Sequence, residues 1–147
     1  MNDSEIPSSE DWGDISDPDV YEAYEFFFGK SNDSLQGEFK KNVIQRCSNL
    51  RWMPMKAFQY YIFGLKQYIE SKDFGEFNKP DAVGCFFGLL EEKANTFPEC
   101  LKVIYPKLRP LIDHIADNQL EFEADFDIYG DFKVKAKNIS LVLDGKT

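Results

Sequence analysis

The run Asp125-Phe126-Asp127-Ile128-Tyr129-Gly130-Asp131 has the acid spacing that opens a calcium-binding loop. Hard cations need oxygen ligands at alternate positions and a closing glutamate at the twelfth. Here the fifth and twelfth positions are Tyr129 and Ala136, so no metal is expected. Nucleophilic chemistry would need a cysteine or serine beside a base. His114 is the single histidine, with Cys85 and Cys100 as conceivable partners, but no signature joins them. The pairs Glu91-Glu92 and Glu121/Glu123 would do acid–base work only if their surroundings separated their pKa values. Both lie in segments that read as solvated faces. No phosphate-cradling glycine loop or nucleophile elbow occurs, and no cofactor is expected. Arg51-Trp52 combines two residue types enriched at interface hot spots. Packing of Trp52 at the end of the central helix, with Arg51 stacked on it or paired with a carboxylate, explains the pair better, because aromatics are abundant throughout the chain.

The densest apolar stretch is Leu50 to Ile69. Beyond Pro54, which suits a first helical turn, Phe58, Tyr61, Ile62, Leu65, Tyr68 and Ile69 recur at helical spacing. Tyr60 and Phe63 make the other side apolar, which predicts a buried central helix. Gly64 in its middle predicts close approach by a neighbour. Before it, Asp17-Pro18 starts a helix ending at Gly29, and a second helix is expected over about 34–47, with a break at Ser48-Asn49. Asp81 caps a fourth through Ala94, and Pro98 opens a fifth. Pro106 and Pro110 divide the next stretch, up to 117.

At Leu120 the period changes to two. Leu120, Phe122, Ala124, Phe126 and Ile128 alternate with Glu121, Glu123, Asp125 and Asp127. After a turn at Gly130-Asp131, Phe132, Val134 and Ala136 alternate with Lys133, Lys135 and Lys137. This predicts a C-terminal β-hairpin or small antiparallel sheet over 120–143, with acids facing lysines. The expected fold is mainly α: a compact multi-helix array, 18–118, ahead of that hairpin. Residues 1–16 are expected to be a flexible acidic tail, anchored at most by Ile6, Trp12 and Ile15, and 17–147 a single globular domain.

The 147 residues have a formal net charge of −9. Nine acids and no base lie in residues 1–29, so the body is balanced and the excess sits at the front. That balance argues against nucleic-acid binding, which needs a basic footprint. Three cysteines without C-x-x-C spacing suit a reducing cytosol. No basic, apolar leader opens the chain. The longest nearly apolar run, Ala82 to Leu90, is far short of the roughly 20 residues a bilayer demands.

Phe27-Phe28-Gly29-Lys30-Ser31, Asn49-Leu50-Arg51-Trp52-Met53-Pro54 and Ala57-Phe58-Gln59-Tyr60-Tyr61 resemble small bacterial immunity proteins of contact-dependent growth-inhibition and polymorphic-toxin systems. The likeness spans about residues 20–95 and leaves out the C-terminal segment. It implies a cytosolic protein that binds and neutralises a cognate toxin domain. The acidic charge suits a nuclease with a basic cleft, the missing motifs suit non-catalytic occlusion, and a monomer is expected when unbound. No contact residue carries over by position. The residues themselves nominate Glu121, Glu123, Asp125, Asp127 and Asp131, then Glu91, Glu92, Arg51 and Trp52, as the partner surface. An adaptor or structural protein, or an enzyme using the carboxylate or Cys–His groups above, are the alternatives.

Overall fold

Three aspartates and an asparagine decide where four of the helices begin. In the computed structural model, which describes residues 5–75 and 78–145, the chain divides into two compact units, Met1–Asp73 and Phe74–Thr147.

The first unit holds α1 (Ser9–Trp12), α2 (Pro18–Phe27), a 3-10 turn (Asp33–Leu35), α3 (Gln36–Lys41), α4 (Val43–Arg51) and α5 (Met55–Ser71). Asp17 caps α2, its carboxylate accepting from the Asp19 and Val20 N–H groups, which would otherwise be orphaned. The single helix expected over 34–47 is instead split at Asn42. Its backbone turns extended, φ −159°, while its side chain accepts from Gln45 N–H at 3.1 Å and starts α4. No break follows at Ser48-Asn49, because Asn49 is buried and donates to Glu22 at 2.9 Å.

The core of this unit gathers on α5, where Phe58, Tyr61, Ile62, Leu65, Tyr68 and Ile69 are buried as their spacing predicts. Phe27 meets Tyr61 edge-on at 4.9 Å, and Phe39 stacks on Tyr68 at 5.8 Å. Gly64 admits Asn32: a Cβ there would lie 2.5 Å from the Asn32 Oδ1. Trp12 is 2% exposed and set edge-on to Tyr24, so it packs α1 against α2; Ile6 and Ile15 are half-buried.

The second unit holds α6 (Lys79–Thr96), α7 (Pro98–Lys102), α8 (Tyr105–Asp117), a 3-10 turn (Gln119–Phe122), α9 (Phe126–Tyr129) and α10 (Phe132–Leu143). α10 packs on α6 and α8, and Phe132 stacks on Phe87 at 4.4 Å between ring centroids. Phe74 is buried against Phe122. The sequence reads 72–80 as a loop pinned by Phe74 and Phe77; Phe77 lies outside the described residues.

The predicted C-terminal β-hairpin or small antiparallel sheet is not there: no strand occurs among the described residues. Asp125 and Asp131, read as outward positions of a strand and a turn, are helix N-caps. Their carboxylates accept from the Asp127 and Lys133 N–H groups at 2.7 and 2.9 Å. Beyond Asp131 the burial has a helical period, Phe132, Ile139 and Leu143, with Val134 turned out. The short Phe-Val-Ala alternation satisfies both periods, and the later apolar residues break the tie.

Candidate partner-binding surface

The segment 119–132 contains no lysine or arginine, and it is braced from inside by one side chain. Gln119 is 3% exposed. Its Nε2 donates to the carbonyl oxygens of Ala124 at 3.0 Å and Gly130 at 2.7 Å, and its Oε1 accepts from the Phe132 N–H at 2.8 Å. One amide thus satisfies three backbone groups that a sheet ladder would otherwise have to serve. Phe122 and Ala124 point inward beside it. Glu123 takes up the left-handed turn, φ 59°, that a side chain rarely adopts.

The far end of the loop is held by Tyr129. Its hydroxyl donates to Asp81 Oδ1 at 2.7 Å. Loss of solvation, followed by that hydrogen bond and the Asp81 charge, pushes its pKa up to about 12. Its ring lies against Gly84 on α6. Gly130, at φ 80°, then turns the chain into α10.

Between these anchors the carboxylates of Glu121, Glu123, Asp125, Asp127 and Asp131 are all exposed. Their one ion pair among the described residues is a long one, Glu123 with Lys79 at 3.6 Å. The lysines expected to neutralise them across a hairpin point elsewhere. Lys135 binds Glu91 at 2.9 Å on α6, while Lys133 and Lys137 line a groove of about 400 Å³ between α8 and α10 with Arg109 and Asp113. Among the described residues, none of these three lysines forms an ion pair with the five acids.

Three large apolar side chains share the segment: Leu120, Phe126 and Ile128 are 68%, 47% and 75% exposed. Strand alternation places all three inward. The signal that reveals them is Asp125, an N-cap residue at the head of a short polar–apolar mix.

The other nominated residues are not part of this segment. Glu91, on α6, is engaged by Lys135 of α10, and Glu92 is half-buried on α6. Arg51 and Trp52 belong to the first unit, at the end of α4, with the Arg51 guanidinium 4.9 Å from the Trp52 ring. Arg46, earlier on the same helix, is buried with its guanidinium 3.4 Å from the Phe26 ring centroid. Desolvation holds its pKa below the usual value.

Cys47, Cys85 and Cys100 are thiols joined in no disulfide, Cys47 and Cys100 buried and Cys85 half-buried. His114 is exposed, next to Asn118 and edge-on to Phe122. Among the described residues, no group of three His, Cys, Asp and Glu side chains is placed to hold a metal ion. None of their helices is long and apolar enough to cross a membrane. Compared with protein-family models, with curated proteins and with solved structures, the chain matches none.

Proposed function

We propose that this chain is a non-catalytic protein inhibitor, an immunity protein that binds and occludes a basic toxin domain in the cytoplasm. A nuclease is the toxin class that suits it best. The observation that supports this reading is the 119–132 segment: five exposed carboxylates, one long ion pair among them, and no base in the run. A nuclease must gather lysine and arginine around its phosphate-binding cleft. An acidic segment held on a braced backbone meets such a cleft with complementary charge and speeds encounter. Three unoxidised thiols suit the reducing cytoplasm, and the sequence resemblance points to the same role.

The test starts from the neighbouring reading frame, because immunity genes lie beside their toxins. The C-terminal domain encoded there is expressed in cells with and without this chain. Growth restored by co-expression, together with a one-to-one complex on gel filtration, is the expected result. Toxicity undiminished by this chain, with no complex, would overturn the reading.

A further inference from the structure

Helix α2 is apolar on two sides. Ala23 and Phe27 are fully buried and mark the face it turns to the core of the first unit. Tyr21 and Phe28 lie on the opposite face. Seven residues apart, they differ by only about 20° in rotation about the helix axis. They are 46% and 38% exposed. Phe28, the C-cap residue, keeps the helical hydrogen bond to the Tyr24 carbonyl oxygen. Its ring stacks on that of Tyr24, 4.6 Å between centroids and 26° between planes. Glu25 falls on the same face, about 40° in rotation from Tyr21. It is exposed and, among the described residues, makes no ion pair or hydrogen bond. Core packing accounts for Ala23 and Phe27 and leaves this face of aromatic rings and a carboxylate unused.

We propose that this face of α2 is a docking surface for an arginine-bearing, positively charged protein segment. The surface belongs to the first unit, and stands whether or not the 119–132 segment of the second binds a toxin.

The occupant follows from two chemistries set side by side. A guanidinium lies flat on an aromatic ring and also pairs with a carboxylate through the fork of its N–H groups. A purely apolar partner would leave Glu25 desolvated and unpaired. Residues 1–29 hold nine acids and no base, so a nucleic acid, an anionic membrane or the same face of a second copy would be repelled. The helix already receives one guanidinium in this way. Arg46 of α4 sets its guanidinium 3.4 Å from the Phe26 ring centroid, within the field of Glu38 and Glu22. The outward face offers the same combination, and among the described residues no cation lies on the Tyr21, Tyr24 or Phe28 ring.

The experiment titrates oligoarginine and oligolysine of equal length into the isotopically labelled full chain and follows amide chemical shifts. Each segment then reports its own affinity. At residues 18–28 the wild type should bind oligoarginine about five-fold more tightly than oligolysine. The double substitution Tyr21→Ser with Phe28→Ser changes no charge. It should abolish that preference and leave oligolysine binding intact, with unshifted α5 signals as the check on folding. Glu25→Gln, an exposed change of the same shape, should weaken oligoarginine binding at α2 about three-fold. Glu121→Gln with Asp125→Asn and Asp127→Asn, in the second unit, should leave the preference at α2 in place. Equal affinity of the two peptides at 18–28 would overturn the proposal. So would a preference retained by the double variant, or peptide-induced shifts confined to 119–132. If the double variant does not fold, Glu25→Gln decides: oligoarginine affinity unchanged at α2 would overturn the proposal.

Discussion

The ring of Tyr129 occupies the space that a side chain on Gly84 would need. A Cβ at position 84 would fall 2.6 Å from Tyr129 Cδ1 and 2.9 Å from Cε1. This is how α6 seats the end of the acidic loop: with no side chain at 84, the phenol lies against the helix, and Asp81, one turn earlier, receives its hydroxyl.

Two glycines on α6 therefore give opposite expectations. Gly84→Ala gains helix propensity but forces the ring away, and overpacking of this kind costs about 1–3 kcal/mol. Gly88, with nothing within 4 Å of the new Cβ, should gain about 0.5–1 kcal/mol as alanine. Urea unfolding of both variants measures the pair. Stabilisation by Gly84→Ala would mean that the ring is not seated as described.

The Tyr129 phenol gives a pH expectation. Its pKa is raised in the folded state to about 12, from an ordinary value of 10.0. The raised value means the folded state prefers the protonated form. The contribution to stability is therefore complete below pH 10 and is lost as pH rises through about 12. Ultraviolet titration should show a phenol ionising late, and Tyr129→Phe should remove it. Tyr61, buried with its hydroxyl 2.7 Å from the Phe27 carbonyl oxygen, is pushed in the same direction and is the control that remains.

Asp131 tests the helical reading of the C-terminal segment. As the N-cap of α10 it should lose about 1 kcal/mol on substitution by alanine and little on substitution by asparagine, which caps equally well. Thermal unfolding of the two variants decides. Equal effects of both would indicate that the carboxylate does not cap a helix here.

How much can be read in the chain differs from element to element. Asp17-Pro18 announces α2 by its cap, and the apolar period from Phe58 to Ile69 announces α5, because both signals lie within one helix. Gly64 announces a close approach, though nothing nearby in sequence identifies Asn32 as the neighbour. The split at Asn42 is hidden because one side chain there outweighs a continuous apolar stripe.

The 120–143 segment misleads for a different reason. Alternation over a few residues is compatible with two periods, and the choice depends on caps at Asp125 and Asp131 and on burial as far along as Leu143. The acids nominated for binding are legible as exposed groups. The exposure of Leu120, Phe126 and Ile128 is not, since strand alternation turns all three inward. Gln119 is equally silent in the sequence. Its three hydrogen bonds reach 5, 11 and 13 residues along the chain and leave no periodic trace.

The most direct measurement of the central claim is the association rate with the toxin domain encoded beside this chain, taken by stopped flow at low and high salt. The variant neutralises three carboxylates without disturbing their backbone: Glu121→Gln, Asp125→Asn and Asp127→Asn, asparagine preserving the cap at 125. The wild-type rate should fall steeply with salt. The variant should associate about ten-fold more slowly at low salt and depend on salt more weakly. A variant that associates at the wild-type rate, with the same salt dependence, would contradict the assignment of this segment as the binding surface.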